Sequence, residues 1–187
     1  MDNISFTSNI KPITLDKFSR GVQRFGRDVY ADYPWTYPNS VKASHAYTDW
    51  ISDCTMLGIT DGEKVFMLHL DPKNKVNSNT YYLQQYMLNN INFRSKKLNA
   101  LLVGSKPTRK SLELYHKIQT TLEKCHIPYS ELKNGKGPIN VAYSASRDRW
   151  YISGLKIDSL IKNGYSSRDV LANTFEKVKI SEFDQII

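Results

Sequence analysis

Two short apolar runs on either side of Asp61-Gly62 form the clearest pattern in the chain, within SDCTMLGITDGEKVFMLHLDP (52–72). Asp-Gly is typical of a two-residue type I′ turn, whose twist matches that of two paired strands. Counting outward from this turn places Cys54 directly opposite His69 on one face of the hairpin. A four-residue loop centred on the same dipeptide predicts the same register, whereas a bulged three-residue loop would separate the pair.

Both faces of this predicted hairpin are apolar, which is typical of a sheet that is covered on both sides. Side chains alternate along a strand, so each face collects every second residue. Cys54 and His69 lie at the open ends of the strands, beside predicted loops at 44–53 and 71–78. Their face also carries Met56, Gly58, Val65 and Met67, while the other face carries Leu57, Ile59, Phe66 and Leu68.

The spacing of apolar residues in the rest of the chain predicts a mixture of helices and strands. The predicted helices cover 15–30, 77–91, 107–125, 156–164 and 166–178, the last with a Ser166/Asp169 capping pattern. The predicted strands cover 97–104, 139–146 and 149–154, the last two as a hairpin, and a loop with two prolines covers 31–40.

These elements predict the α/β class, as a layered sandwich of mixed or antiparallel β-sheet flanked by helices. A length of 187 residues is that of one domain. Residues 1–13 are polar and show no pattern. We therefore expect a loose N-terminal arm over 1–13, followed by a single α/β domain over 14–187.

The chain is basic, with 26 Lys and Arg against 18 Asp and Glu and a formal net charge of +8. This excess favours an acidic partner. The basic residues are scattered, with small groups only at 94–97 and 106–110, so a nucleic acid is not the expected partner. No apolar run approaches the ~20 residues that span a membrane, so no membrane partner is expected either.

The two cysteines, Cys54 and Cys125, form no CxxC pair, which excludes the usual zinc-ribbon pattern, and no metal site is predicted. Cys125 closes an apolar helical stripe and is predicted to be buried. Cys54 is predicted to be accessible beside His69, whose imidazole can take up a thiol proton and so produce a nucleophile. The alternative is packing, because buried cysteines and core histidines are common. The other histidines, His45, His116 and His126, are interpreted as loop or helix-surface residues.

The segment TDWISDC, with Thr48 six residues before Cys54 and His69 fifteen residues after it, resembles the cysteine-dependent protein glutamine deamidases. This family includes the chemoreceptor glutamine deamidases of bacterial chemotaxis and the catalytic domains of necrotising-factor-type and lethal-factor-type toxins. The order that follows is a strand ending in LVG, a helix, IPYSELKNGKGP and INVAYSASRDRWYIS. It extends the resemblance over residues 48 to about 154.

The resemblance implies a deamidase-toxin-like fold and a Cys-His-Thr triad without cofactor or metal. Cys54 is then the nucleophile, His69 the acid and base, and Thr48 the residue that orients the imidazole. Backbone N–H groups of Asp53 and Cys54 supply the oxyanion site. The family places Gly or Gly-Ser before the cysteine, where this chain has Ser52-Asp53. A carboxylate in that place raises the thiol pKa if it is close.

The function implied by the resemblance is hydrolysis of a protein glutamine to glutamate through a thioester on Cys54. The extra residues before the motif and a polar N-terminus without a signal peptide favour a bacterial toxin or secreted effector. We expect synthesis in the bacterial cytoplasm and delivery into a host cytosol without a Sec signal; the alternative is a protein that stays cytoplasmic. The expected partner is an acidic protein with a reactive glutamine, and the chain is expected to be a monomer.

Three alternative functions stay open at this point. An amine that replaces water at the thioester would make the enzyme a transglutaminase. A cysteine protease would use the same Cys-His pair on a peptide bond. A non-catalytic, basic nucleic-acid-binding protein would show a steeply salt-dependent affinity that Cys54→Ala leaves unchanged.

Overall fold

The computed structural model describes residues 9–24, 41–73, 91–104, 108–133, 135–176 and 178–180. Within these ranges the chain forms ten strands and four α-helices. The strands are β1 (Ile10–Pro12), β2 (Val41–Ala43), β3 (His45–Ile51), β4 (Thr55–Thr60), β5 (Val65–Leu70), β6 (Asn99–Gly104), β7 (Tyr129–Leu132), β8 (Ile139–Ser144), β9 (Arg149–Ser153) and β10 (Val178–Ile180). The helices are α1 (Leu15–Val22), α2 (Arg109–Lys124), α3 (Leu155–Lys162) and α4 (Ser167–Thr174).

The strands form two sheets. The smaller sheet has the order β1-β9-β8-β3, and the larger sheet has the order β10-β7-β6-β4-β5-β2. Each sheet combines one parallel pair, β1 with β9 or β6 with β7, with antiparallel pairs. The prediction of an α/β protein with mixed or antiparallel sheet is therefore confirmed.

In the larger sheet, β4 and β5 are buried on both faces, as their apolar pattern predicts. One face packs against the smaller sheet and the other packs against α2, so the two faces belong to two separate cores. The first core joins Met56, Val65 and Met67 to Val141, Tyr143, Trp150 and Ile152. The second core joins Leu57, Ile59, Phe66 and Leu68 to Leu114, Ile118 and Leu122 of α2.

The two sheets approach each other closely at Gly58, in the middle of β4. A Cβ built on Gly58 would overlap Cη2 and Cζ3 of the Trp150 ring. The Trp150 ring is fully buried and stacks at a tilt on Tyr143, with the ring centroids 4.6 Å apart. The indole thus fills the space above Gly58, and a glycine is needed there for the sheets to meet.

Several predicted elements are confirmed within one or two residues. They include β6, the β8–β9 hairpin, α2 and α3. The Ser166 side chain accepts a hydrogen bond from the N–H of Asp169, which confirms the predicted cap of α4. The predicted helix at 15–30 is helical over Leu15–Val22. Residues 23–24 form a turn, so the helix ends earlier than predicted. Residues 25–30, the predicted loop at 31–40 and the predicted helix up to residue 90 lie outside the described residues.

Two predictions about the N-terminal part are wrong. The arm predicted at 1–13 is not loose at its end, because Ile10–Pro12 form β1, pair in parallel with β9 and bury Ile10. A three-residue strand is too short to show a periodic pattern. The loop predicted at 44–53 contains β3, which pairs with β8. The alternation along β3 is easy to miss because its buried residues include the small Ala46 and the polar Thr48.

Candidate active site

The register of the β4–β5 hairpin differs from the predicted one. Thr60 pairs with Val65, and Met56 lies directly opposite His69. The prediction that Cys54 directly opposes His69 is therefore wrong by two residues. A two-residue shift leaves every side chain on its predicted face, since side chains alternate with a period of two. Cys54 consequently shares the face of His69 as a diagonal neighbour, for which Cβ atoms are roughly 7 Å apart.

The shift arises in the loop, where side chains hold a four-residue connection at 61–64. Oδ1 of Asp61 accepts hydrogen bonds from the backbone N–H groups of Glu63 and Lys64, at 3.0 and 2.9 Å. Oγ1 of Thr60 accepts a hydrogen bond from the Gly62 N–H at 3.0 Å and donates one to the Lys64 carbonyl. These bonds stabilise a loop that begins at the same residue as the predicted type I′ turn but ends two residues later.

Thr48 and His69 are brought together from the two sheets. Oγ1 of Thr48 lies 2.8 Å from Nδ1 of His69, and both residues are buried. Thr48 faces the larger sheet because it pairs with Val141, whose side chain belongs to the core between the sheets. The imidazole is thus oriented through Nδ1, and Nε2, the other ring nitrogen, is also buried.

Cys54 lies in the bend at 52–54, immediately before β4, and on the His69 face. Extending the β4–β5 register by one step places it opposite Asp71. Among the described residues no hydrogen bond joins the thiol of Cys54 to His69. The three residues therefore form a cluster in which Thr48 and His69 are in hydrogen-bonding contact and Cys54 and His69 are not.

The Cys54 thiol is protonated at neutral pH. Burial, followed by the negative charges of Asp53 and Asp71, raises its pKa to about 12, while Lys73 acts in the opposite direction. Nζ of Lys73 lies 3.8 Å from Oδ2 of Asp53, so the cation that lowers the Cys54 pKa is itself paired with a carboxylate. The carboxylate of Asp53, directly before the cysteine, raises the thiol pKa as predicted. The prediction of an accessible thiol is wrong, since Cys54 is only 3% exposed.

Cys125 is less buried than predicted. It is the C-cap residue of α2, packs against the second core and is partly exposed, because the helix ends there. Its pKa is raised by partial burial. The helical spacing of apolar residues predicts burial of Cys125 because this spacing continues one residue beyond the end of α2.

Trp50 is a residue of the site that the sequence pattern did not reveal. It lies in a bulge of β3 between Thr48 and Ile51, with a left-handed backbone (φ 54°) that is uncommon for an aromatic residue. Its N–H donates a hydrogen bond to Oδ1 of Asn140 at 3.0 Å, and its side chain is 70% exposed. Strained backbone with an exposed aromatic side chain, four residues before Cys54, is typical of a functional position.

The remaining predicted site residues are placed as follows. The backbone of Asp53 and Cys54, predicted to supply the oxyanion site, lies in the bend at 52–54, outside the paired residues of β3 and β4. His45 lies on β3, on the face opposite to Thr48, while His116 and His126 are exposed on or after α2. Among the described residues, no group of three His, Cys, Asp or Glu side chains could hold a metal ion.

Neither the protein-family models nor the curated proteins contain a match to this chain. No helix in the described part of the chain is long and apolar enough to cross a membrane. The geometry around Cys54 is therefore the observation on which a functional assignment has to rest.

Proposed function

We propose that this chain is a cysteine-dependent amidohydrolase of the deamidase-toxin-like fold, which converts a glutamine side chain of a protein to glutamate. The observation that carries the proposal is the buried 2.8 Å contact between Thr48 and His69, with Cys54 on the same sheet face. Thr48 and His69 are 21 positions apart in the chain and belong to two different sheets, and packing alone would not require a threonine hydroxyl at Nδ1. Their order and spacing are those of the family that the sequence resembles.

In the first step, the Sγ–H of Cys54 loses its proton to Nε2 of His69 while Sγ forms a bond to the carboxamide carbon. Backbone N–H groups of Asp53 and Cys54 stabilise the resulting oxyanion. The imidazolium then gives the proton to the leaving nitrogen, the C–N bond breaks, and ammonia departs. A thioester on Cys54 remains.

In the second step, water attacks the thioester with His69 again as the base. The C–S bond breaks, the proton returns to the thiol, and the product is glutamate. Thr48 contacts neither substrate nor water in this scheme. It is a positioning residue that holds Nδ1, so that Nε2 is the nitrogen that exchanges the proton.

A thiol pKa of about 12 has a consequence for this mechanism. The enzyme at rest has no thiolate–imidazolium pair, so proton removal and attack occur together when substrate is bound. Substrate binding also has to bring the diagonal neighbours Cys54 and His69 into contact. Both lie on the same face of the hairpin, so a rotation of either side chain towards the other shortens the distance between Sγ and the imidazole.

The proposed substrate is a folded, acidic protein that presents a glutamine on a loop. The net charge of +8 increases the rate of encounter with an acidic partner. Trp50 projects into solvent beside the bend that carries Cys54, and we assign it to the contact with substrate. A bacterial effector that acts in a host cytosol is the proposed biological setting, and no cofactor is required.

The proposal is tested by incubating the protein with folded acidic proteins and with free glutamine. Ammonia release and the mass gain of an amide-to-acid conversion are measured for wild type, Cys54→Ser and His69→Ala. Cys125→Ser and His45→Ala are matched controls, since they replace the same residue types outside the cluster. We expect turnover of protein glutamine by wild type and both controls and its loss in the two cluster variants.

The same experiment separates the alternatives. Chain fragments would identify a protease, and incorporation of an added amine would identify a transglutaminase. Turnover retained by Cys54→Ser would exclude the thioester mechanism. The non-catalytic alternative would be favoured if no reaction occurred and the protein bound nucleic acid with an affinity that falls steeply with salt and is unchanged in Cys54→Ala.

A further inference from the structure

A cleft of about 590 Å³ opens on the side of the smaller sheet that faces away from the larger one. Ala142 of β8 and Tyr151 of β9 line it, and they alternate along their strands with the core residues Val141 and Trp150. The smaller sheet therefore separates the cleft from Thr48. The volume is that of a small-molecule site.

The charge of the lining residues has one sign. Lys11, Lys17, Arg24 and Arg147 line the cleft, and no Asp or Glu of the described residues does. In the part of the chain that the structure describes, none of these four cations forms an ion pair. The four positive charges are thus gathered at one opening, and no carboxylate stands among the described lining residues.

Two acidic residues on the neighbouring helices are already paired with other cations. Asp16 of α1 is bonded to Arg20. Asp158 of α3 lies 2.7 Å from Nζ of Lys162 and also accepts a hydrogen bond from the Leu15 N–H. Asp169 of α4 accepts a hydrogen bond from the Ser166 hydroxyl and is not among the residues that line the cleft. The four lining cations are therefore the main charges of the cleft, and its field is positive.

Hydroxyl groups and apolar side chains complete the lining. Ser144, Ser146 and Tyr151 offer hydroxyl groups, and the guanidinium of Arg147 is 3.5 Å from the Tyr151 hydroxyl. Apolar lining is supplied by Pro12, Ile13, Phe18, Val22, Ile161 and Val170, together with the half-exposed ring of Tyr165. Guanidinium, ammonium and hydroxyl donors around an apolar floor suit a phosphate-bearing ligand with an apolar or aromatic body.

We propose that this cleft binds a small molecule that carries two or more phosphate groups on an aromatic body, of the nucleoside polyphosphate type. Several phosphates are required to balance four cations, and the aromatic body contacts the apolar floor and Tyr165. The site is independent of Cys54, because it lies on the other face of the smaller sheet. The proposal of ligand binding is therefore independent of the proposed deamidase activity.

Binding is tested on the full chain by calorimetric titration with two probes, adenosine triphosphate and inorganic tripolyphosphate, at constant ionic strength. We expect saturable binding of one molecule per chain, and tighter binding of adenosine triphosphate because only it has an aromatic body. Arg147→Gln and Lys17→Gln, which change exposed residues on two separate elements, should each weaken binding about tenfold, the typical effect of losing a charged hydrogen bond. Thermal unfolding of each variant shows whether the fold is retained.

Lys110→Gln is the matched control, since it removes the same charge from α2, on the far side of the larger sheet. Unchanged affinity in this variant, beside weakened affinity in the other two, supports a built site. Equal weakening in all three variants, or no saturable binding of either probe, would show only a general attraction of anions to a basic protein and overturn the proposal. Equal affinity for the two probes would refute the proposal that the ligand carries an aromatic body.

Discussion

Thr48 of the smaller sheet and His69 of the larger sheet are joined by a buried contact of 2.8 Å between Oγ1 and Nδ1. Neither residue can keep this contact unless the two sheets pack at the observed distance. The register of β3 against β8 and the register of β5 against β4 both contribute to it. The orientation of the proposed catalytic imidazole is thus a property of the sheet packing as a whole.

Thr48→Val removes the hydroxyl while keeping the shape of the side chain. We expect kcat/KM for deamidation to fall about tenfold, because a lost hydrogen bond of ~1.4 kcal/mol corresponds to one decade in rate. Imidazole ¹⁵N shifts should show a changed tautomer distribution at His69, a readout that does not require a substrate. Thr48→Ser restores the hydroxyl and should restore both signals. An unchanged tautomer in Thr48→Val would argue against a positioning role.

Iodoacetamide should label Cys125 before Cys54 at pH 7, because Cys125 is partly exposed and Cys54 is buried with a pKa of about 12. Since the thiolate fraction rises about tenfold per pH unit below the pKa, labelling of Cys54 should keep accelerating up to pH 10 and beyond. Peptide mass spectrometry after brief pulses at each pH measures both rates. Rapid labelling of Cys54 that is already constant above pH 8 would contradict the raised pKa.

Asp53→Asn should make Cys54 more reactive in the absence of substrate. The Asp53 charge raises the thiol pKa and also occupies Lys73, so its removal lowers the pKa by both routes. A decrease of up to about one pH unit would give up to tenfold faster labelling at fixed pH. Glu113→Gln on α2, where the carboxylate pairs with Arg109, is the control and should leave the rate unchanged.

Trp50→Asn separates substrate binding from stability. Asparagine adopts the left-handed backbone more readily than tryptophan, and the replaced side chain is 70% exposed, so the free energy of unfolding should stay the same or rise by up to ~1 kcal/mol. The kcat/KM for a protein substrate should fall, mainly through KM. Leu155→Asn, which changes an apolar side chain that is 69% exposed on α3, should leave KM unaffected. Equal KM values for both variants would show that Trp50 does not contact the substrate.

Gly58→Ala should destabilise the protein by about 1–3 kcal/mol, the usual cost of overpacking a core. The added methyl group would overlap the buried Trp150 ring, which has no space to move away. Gly21→Ala in α1 is the control, because a Cβ there contacts no atom within 4 Å, and helix propensity predicts a gain of up to ~1 kcal/mol. Urea unfolding of the two variants measures whether the free energy of unfolding falls in Gly58→Ala and rises in Gly21→Ala. A neutral Gly58→Ala would show that the sheets are less tightly packed than described.

The faces of β4 and β5 could be predicted from the sequence, and so could α2 and the β8–β9 hairpin. Each depends on a repeat of two or 3.6 residues that neighbouring side chains produce by themselves. The cap at Ser166 is similarly local, since it needs only a hydroxyl and an N–H three residues later. The same local information placed Cys54 and His69 on one face.

The register of the hairpin could not be predicted in this way. A shift of two residues keeps each apolar side chain in its core, so the hydrophobic pattern is equally consistent with either pairing. The choice depends on the hydrogen bonds of Asp61 and Thr60 within the loop. Because Asp-Gly also suits a shorter turn, the dipeptide indicated where the chain reverses and left the length of the loop open.

The sequence by itself determined which residues form the candidate site, through the spacing of Thr48, Cys54 and His69. Tertiary structure decided how they meet. The packing of β3 against the larger sheet brings the Thr48 hydroxyl to Nδ1 of His69, and burial between the sheets makes the Cys54 thiol hard to ionise. Contact and pKa depend on atoms that are distant along the chain, whereas spacing and alternation depend on near neighbours, and a sequence pattern records only the latter.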